Sequence, residues 1–442
     1  MIKETSSTFI FRVLLVGLGA VNSVILARFL GPAGQGTFAV IATLITILSI
    51  IGGLGIGSAN IYFLGQKRYE LRILFWNSIL TSAVVGVILI GIAYGLYEAI
   101  PSIFQGVGKD LVVLYALILP LLLGWAYISS FLLGFQRFTA FNIFYIVLSL
   151  FTLVNYLVFL SLSPTVRTAI IISIVLNGLG IILLAIYIVK RIDSSILRPK
   201  VNLRALSESI AFGVKGQLGN IAQFMNYRLD RLFVNWFAGP AAVGLYSVAV
   251  VLVESLWYVS NSIALVLFPK ISASGDMVSN AQTTAKSCRI SFFSALLMAG
   301  ILVVIGPWLI PLLFGKAFAD SLPALNYLLP GVVVFSLTNI IASYIIGRGF
   351  PHYNTIIALV SFVFTVVFDL LLIPRWGIIG AAIASSISYL VATITAVYYY
   401  RKIARRDSQQ SGQSISVSLT DLVIINQRDW QSVRNVLRQF GI

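Results

Sequence analysis

The sequence FLGPAGQGTF at residues 29–38 returns as FAGPAAVGLY at residues 237–246. Phenylalanine, glycine, proline, alanine and a second glycine recur at the same places, 208 positions apart, and an aromatic residue closes each copy. Because this offset is close to half of the 442 residues, the sequence predicts a duplicated body. Each copy lies between two long apolar runs, so the duplicated body is predicted to be a bundle of membrane helices.

The composition is that of an all-α polytopic membrane protein. The chain is 59% hydrophobic and 10% charged, with a mean hydropathy of +0.98, whereas a soluble domain is about 25% charged. Apolar runs of about 20 residues recur along the chain, which is long enough to cross a hydrocarbon core about 30 Å thick. Spans of a β-barrel are excluded, because they alternate polar and apolar residues over segments of about 10 residues.

The apolar runs predict twelve transmembrane helices. They lie at residues 8–30, 37–64, 73–97, 111–134, 140–162, 168–189, 207–236, 245–268, 289–314, 323–347, 353–373 and 377–400. The predicted domains are an N-lobe (1–190), a basic cytoplasmic linker (191–206), a C-lobe (207–401) and a cytoplasmic tail (402–442). The polar stretch from residue 407 to residue 418 is expected to be flexible.

Lysine and arginine orient the helices. With the N-terminus inside, the inner loops hold eighteen of these residues and the outer loops four, so both termini are predicted to be cytoplasmic. Six spans in each half mean that both halves enter the membrane from the same side, and the two repeats are therefore parallel. Topology accounts for the net charge of +16, and no nucleic-acid partner is predicted.

The repeated phrase predicts a tight turn on the outer face. Gly31 and Gly239 are suited to end a helix in a left-handed conformation, and the proline that follows each one stops the helix from continuing. Gly36 and Gly244 are expected to open the next helix. The chief value of the phrase is its register, which makes spans 1 and 7 counterparts.

Ionisable residues inside the spans mark the candidate site, because a charge in the membrane is costly and tends to face a cavity or another charge. All five bases lie on the counterpart spans 1 and 7, at Arg12, Arg28, Lys215, Arg228 and Arg231. They are predicted to meet across the axis between the halves and to line a shared cavity. Such a cavity suits an anionic substrate, because the arginine fork binds pairs of phosphate oxygens.

Plainer alternatives stay open for these residues. Arg12 and Arg28 lie near enough to the two interfaces to snorkel, and either arginine beside Asp230 can simply pair with it. The acids are candidates for pairing or for carrying a coupling proton or sodium ion, and they are Asp230, Glu254 and Asp369. Four amides of span 7 suggest a wetted face suited to sugar hydroxyls, and they are Gln217, Asn220, Gln223 and Asn226. No metal site, catalytic group or bound cofactor is predicted.

Two stretches resemble a known family. ILARFLGPAGQGTFAVIATL (25–44) and GNIAQFMNYRLDRLFVNWFAGPAAVGLYSVAVVLVESLWYVSNSIALVLFPKIS (219–272) are similar to the Wzx-type oligosaccharide flippases of the multidrug/oligosaccharidyl-lipid/polysaccharide exporter superfamily. The resemblance covers roughly residues 8–400 and implies two six-helix lobes around a central cavity. It also implies a cationic lumen, whose matching residues here are Lys215, Arg228 and Arg231, with Arg12 and Arg28 as weaker matches.

The same resemblance implies a function. Members move undecaprenyl-diphosphate-linked glycans across a bacterial inner membrane by alternating access, in contact with membrane lipids. A polysaccharide polymerase and glycosyltransferases are the partners that such a role implies. The tail after Arg406 falls outside the resemblance.

The sequence leaves two other functions as alternatives. A multidrug exporter of the same superfamily carries cations and would favour acids in its cavity, whereas the five bases here outnumber the three acids. A membrane enzyme of polysaccharide synthesis would need a catalytic group on a sizeable loop, and the longest outer loop has only about a dozen residues. We therefore expect a flippase and not an enzyme.

Overall fold

The computed structural model describes residues 2–411 and 419–423, and these residues form helices joined by short loops and three short 3-10 turns. The helices are α1 (Ile2–Gly52), α2 (Ile56–Gly65), α3 (Leu71–Ala99), α4 (Lys109–Ala116), α5 (Leu119–Gly134), α6 (Phe138–Leu162), α7 (Val166–Arg191), α8 (Leu203–Glu254), α9 (Trp257–Ala273), α10 (Met277–Phe314), α11 (Leu322–Gly347), α12 (Pro351–Ser411) and α13 (Leu419–Val423). No strand occurs within the described ranges, so the all-α prediction is confirmed.

Nine helical segments among the described residues are long and apolar enough to cross a membrane. Three of these segments, in α1, α8 and α12, have 39, 39 and 59 residues, far more than the roughly 20 that one crossing needs. Each contains a kink, at Gly31, Gly239 and Gly377. Each of the three therefore joins two helices at a glycine, at or beside the place where the sequence predicts a break between two spans.

Two other boundaries differ from the hydropathy prediction. The second predicted span is interrupted between α1 and α2, where Leu54 and Gly55 have φ of 46° and 65°. Helix α10 begins at Met277, well before residue 289. Its first turns carry Asn280 and Thr284, which are 3% and 0% exposed. These polar residues face protein, so hydropathy alone misses the start of the helix.

The chain forms two compact units. One comprises the chain up to Val248 together with Ile310–Asp320, and the other comprises Ala249–Leu309 and the chain from Ser321 onward. Most of α8 therefore belongs to the first unit, whereas the sequence predicts that α8 belongs to the C-lobe from residue 207 onward.

The first unit has an aromatic core shared by α3, α5 and α7, around Phe75, Trp125 and Leu184. The predicted linker is folded onto α3. Trp76 donates from Nε1 to the Ile196 carbonyl (2.7 Å), and Asn77 exchanges two hydrogen bonds with the backbone of Asn202 (2.9 and 3.1 Å).

The second unit is built on Trp257, Phe335 and Tyr389, whose ring centroids lie 4.9–5.5 Å apart. Its helix α12 continues through the predicted start of the flexible stretch. Asp407 is buried and accepts two hydrogen bonds from Arg348, at 2.6 and 3.0 Å. Because this ion pair fixes the end of α12, the prediction of flexibility from residue 407 is wrong up to residue 411, and residues 412–418 lie outside the described ranges.

Candidate functional site

The two copies of the repeated phrase adopt the same backbone. Gly31 has φ 65° and ψ −179°, and Gly239 has φ 79° and ψ 177°. The predicted positive φ is confirmed, while ψ near 180° places both residues in an extended region that essentially only glycine occupies. In each copy the proline that follows begins the second arm of the kinked helix.

The second glycine of each copy is a contact point, and the expectation that it opens a helix is wrong. Gly36 packs on the carbonyl of Pro240, and Gly244 packs on the carbonyl of Pro32. A β-carbon at either glycine would overlap the facing carbonyl oxygen. Because the same residues of each copy meet in exchange, the two turns are related by a local two-fold, and α1 and α8 touch there.

Asp230 lies at the centre of a polar group on α8. It is 2% exposed and accepts a 2.6 Å hydrogen bond from the hydroxyl of Tyr246, which is fully buried. Asp230 lies on the first arm of α8 and Tyr246 on the second, so this bond braces the kink at Gly239. Tyr246 is also the aromatic residue that closes the second copy of the phrase.

Two half-buried arginines flank this carboxylate. The backbone N–H of Arg231 donates to Asp230 Oδ1 (2.8 Å), and Arg228 donates from Nη1 to the Tyr227 carbonyl (3.1 Å). Both positive charges act on the Asp230 carboxylate. We call the group of Asn226, Arg228, Asp230, Arg231 and Tyr246 the α8 polar cluster, which carries two bases and one acid.

The end of the first arm of α8 is held by amides. Asn235 is fully buried and donates from Nδ2 to the carbonyls of Ile103 and Gln105, at 2.8 and 3.2 Å. Gln105 in turn donates to the carbonyls of Asn235 and Trp236, at 2.9 and 3.0 Å. These four hydrogen bonds tie the end of the first arm of α8 to the backbone of residues 103–105.

Arg28 has different partners from the arginines of α8. It donates from Nε to the Leu313 carbonyl (2.6 Å) and from Nη2 to the Leu312 carbonyl. Both carbonyls lie in the last turn of α10, where a cation interacts favourably with the negative end of the helix dipole. Arg28 is therefore a helix cap in this structure, and the side chains of Arg12 and Lys215 lie outside the described part of the chain.

The four amides predicted for span 7 also differ in their partners and in their burial. Gln217 donates to the Ile50 carbonyl (2.7 Å), and Asn226 is buried within the α8 polar cluster. Asn220 is exposed and Gln223 half-buried. Asn220 is therefore the most exposed of the four amides.

The remaining acids lie in the second unit. Glu254 is half-buried and ends α8, and Asp369 is fully buried in α12. Buried hydroxyls lie one and two helical turns before Asp369, where Thr365 donates to the Ser361 carbonyl (3.1 Å) and Ser361 donates to the Ser388 carbonyl (3.0 Å). Over the described residues, no three His, Cys, Asp or Glu side chains are grouped as metal ligands.

Sequence reasoning missed Tyr246 and Gln105 as members of the site. Tyr246 reads as a capping aromatic, and Gln105 lies in a loop between helices. The register of the repeat contains a signal for Tyr246, because its counterpart in the first copy, Phe38, lacks a hydroxyl. The counterpart of Asp230 is Asn22, so the acid and the hydroxyl both occur in the second copy alone.

Residues 25–323 match a protein family described as "Polysaccharide biosynthesis protein". The lipopolysaccharide biosynthesis protein WzxC of Escherichia coli is 23% identical over 87% of this chain and 77% of its own length. The capsular polysaccharide biosynthesis protein CapF of Staphylococcus aureus is 28% identical over 40% of this chain. A membrane protein of Methanocaldococcus jannaschii is 25% identical over 63% of this chain. The chain spans about half the length of the last two relatives, 46% and 56%.

Solved structures of two kinds share the fold. The lipid II flippase MurJ in an inward closed conformation superposes with a TM-score of 0.73 at 15% identity, over 96% of this chain and 95% of that one. An inward-facing multidrug resistance MATE transporter also gives 0.73, at 18% identity, over 90% of this chain and 96% of that one. At these identities the likeness shows the fold alone.

Proposed function

Because the chain belongs to the polysaccharide biosynthesis protein family, we propose that it is a flippase for a lipid-linked oligosaccharide. The printed names of WzxC and CapF place those relatives in lipopolysaccharide and capsular polysaccharide synthesis. The flippase fold of MurJ supports the transport step. The proposed substrate is an undecaprenyl-diphosphate-linked glycan, moved from the cytoplasmic to the outer leaflet of a bacterial inner membrane.

The proposed topology is two parallel six-helix repeats with cytoplasmic termini. Counting each of the three kinked helices as two crossings turns nine apolar segments into twelve crossings. The distribution of lysine and arginine supports this orientation. Alternating access between the two repeats would then expose the binding site first to the cytoplasm and then to the outside.

The α8 polar cluster is the observation that carries the proposal. Placing an arginine or aspartate in the middle of a membrane helix costs about 2.5–3.5 kcal/mol. A membrane protein that holds three such groups within four residues, Arg228 to Arg231, retains them for a purpose. We assign the two arginines to the substrate diphosphate, since each can offer several donors to its oxygens.

The other members of the cluster position these arginines. Asp230 accepts the backbone N–H of Arg231 and the hydroxyl of Tyr246, so it ties the arginine-bearing arm to the second arm of α8. Asn220 and Gln223 are assigned to the sugars. Lys215 and Arg12 extend the proposed cationic surface on the strength of the sequence alone. Asp369 and Glu254 are proposed to carry a coupling proton or sodium ion.

Flipping by purified protein in liposomes tests this assignment. Arg228→Gln and Arg231→Gln should each lower the rate of flipping of a fluorescent lipid-diphosphate oligosaccharide by about tenfold or more, the loss expected when hydrogen bonds to a charged group disappear. Arg167→Gln is the matched control, because Arg167 pairs with Asp110 (2.5 Å) at the exposed starts of α7 and α4. The control should flip at the rate of the unmodified protein.

Three outcomes would overturn the proposal. Undiminished flipping in both variants would remove the diphosphate from the α8 polar cluster. Export of cationic dyes against a proton gradient, without movement of the lipid-linked glycan, would assign the chain to multidrug export. A change in glycan length during the assay would indicate an enzyme.

A further inference from the structure

The far end of α12 carries a groove whose lining includes none of the residues of the α8 polar cluster. Its volume is about 510 Å³, and it is lined by one face of the helix, at Ile394, Val397, Tyr398, Arg401, Lys402, Arg405, Arg406 and Gln409. The lining residues recur every three or four positions, so they form one continuous stripe.

The stripe changes character along its length. Its first part is apolar and open to the surroundings, with Ile394 and Tyr398 61% and 60% exposed. Its second part holds four bases within six residues, 401–406. At 1.5 Å per residue, the stretch from Ile394 to Arg405 covers about 16 Å. An apolar half joined to a basic half over that length matches a phospholipid, with its acyl chains beside Ile394 and its phosphate beside the bases.

Within residues 2–411 and 419–423, no acid forms an ion pair with the bases of the groove. The nearby carboxylate, Asp407, is buried and committed to Arg348. Among the residues that the structure describes, none of the four bases lies within ion-pairing distance of a carboxylate. A concentrated positive charge of this kind attracts an anion.

Aromatic rings hold two of the bases in place. Lys402 lies 5.6 Å from the ring centroid of Tyr353, and Arg406 lies 5.5 Å from that of Phe350. Cation–π contacts orient a base without removing its charge. Arg401 and Arg405 are left to bind a ligand directly, and Arg401 Nε is buried without a hydrogen-bond partner among the described residues.

We propose that this groove binds the headgroup of an anionic phospholipid. The chemistry is that of a phosphate held by two arginines, with aromatic and aliphatic side chains against the glycerol and the acyl chains. The groove belongs to the second unit and the α8 polar cluster to the first, and the proposed occupant is a component of the membrane and not cargo.

Native mass spectrometry of the purified full-length protein tests this proposal, with phosphatidylglycerol and phosphatidylcholine as the two probes. Phosphatidylglycerol should bind about tenfold more tightly than phosphatidylcholine, and Arg401→Gln with Arg405→Gln should remove that preference. The charge-preserving pair Arg401→Lys with Arg405→Lys should keep most of it. Lys190→Gln with Arg191→Gln is the matched control, because it removes the same charge from the exposed end of α7.

Three results would overturn the proposal. Equal binding of the two lipids by the unmodified protein would show that no headgroup is recognised. If the α7 control lost the preference for phosphatidylglycerol to the same extent, the preference would come from the overall positive charge of the surface and not from the groove. A chain that ends at Ser411 lacks the tail. If this shorter chain bound phosphatidylglycerol several-fold more tightly than the full-length protein, the tail and not a lipid would be the natural occupant of the groove.

Discussion

Helices α1 and α8 are two copies of one kinked helix, and they differ in what the copies carry. Both kink at the same glycine, and both place a second glycine against the facing turn. At the positions where α8 has Asp230 and Tyr246, α1 has Asn22 and Phe38. Asn22 makes two long hydrogen bonds to Ser149, both of 3.4 Å, and Phe38 packs its ring 5.6 Å from that of Tyr115.

The residues that the two copies share maintain the backbone geometry, and the residues that differ form the candidate site. The shared residues are backbone devices, because a positive φ and a close approach of two chains both require the absence of a side chain. The residues that differ are side chains that carry charge or donate hydrogen bonds. Duplication has therefore kept the geometry of the turn in both copies, while the polar cluster occurs only on α8.

Replacing Asp230 should cause the largest loss of stability and the largest difference between the two copies. Asp230→Ala leaves the hydroxyl of Tyr246 and the two arginines without their carboxylate, and breaking a buried pair costs about 3–5 kcal/mol. Asn22→Ala should cost less than about 1 kcal/mol, as is usual for hydrogen bonds between membrane helices. Equilibrium unfolding in mixed micelles measures both values, and equal losses would mean that the two positions have the same role.

The paired glycines should give the next largest effect, and it should be symmetrical. Gly36→Ala and Gly244→Ala each push a methyl group into a carbonyl, and overpacking of this kind costs about 1–3 kcal/mol. Gly19→Ala is the control on the same helix, because no atom lies within 4 Å of its added β-carbon. The unfolding temperatures of the three variants measure these losses of stability. A large difference between Gly36→Ala and Gly244→Ala would contradict the local two-fold.

Arg28 should affect stability more than transport. Arg28→Gln removes charge-assisted hydrogen bonds to the end of α10, which are worth about 1.5–3 kcal/mol when fully buried, and the exposure of this pair reduces the loss to about 1 kcal/mol. Flipping per folded molecule should be unchanged, whereas Arg228→Gln should lose it. If Arg28→Gln lost flipping activity but kept its stability, Arg28 would be a substrate-binding residue and not a helix cap.

Tyr246→Phe should cost about 1 kcal/mol, because it removes one hydrogen bond and restores the residue found in the first copy. Together with Asp230→Asn, this change gives α8 the residues that α1 has at the two corresponding positions, Asn22 and Phe38. The two changes should couple by about 0.5–3 kcal/mol in a double-mutant cycle, since the side chains are in direct contact. Additive losses would show that the 2.6 Å bond does not hold the two arms together.

The smallest effect concerns Glu70, in the loop between α2 and α3. Hydrogen bonds from Arg72 and Lys200 lower the pKa of Glu70 to about 2 from its ordinary value of 4.5. A carboxyl whose pKa is lowered by folding adds stability above its unfolded pKa, and this contribution is lost as the pH falls from about 4.5 to about 2. The difference in unfolding temperature between Glu70→Gln and the unmodified chain should shrink over that range. A difference that is constant with pH would show that the ion pairs do not form in solution.

Much of the architecture follows from local properties of the chain. A run of about 20 apolar residues crosses a membrane wherever it occurs, and a glycine before a proline ends a helical arm without help from distant residues. Hydropathy therefore located the membrane segments, and the repeat located the kinks at Gly31 and Gly239. Periodicity failed at Asn280 and Thr284, because polar residues that face protein look like residues that face water.

The partners of the charged residues depended on packing between distant parts of the chain. The bases of α1 and α8 have the same cost in a membrane, so the sequence alone placed Arg28, Arg228 and Arg231 in one group. Folding brings the end of α10 to Arg28 and the second arm of α8 to Asp230. Contacts between residues 16 and 285 positions apart leave no periodic mark on the sequence, and these contacts distinguish a helix cap from a binding group.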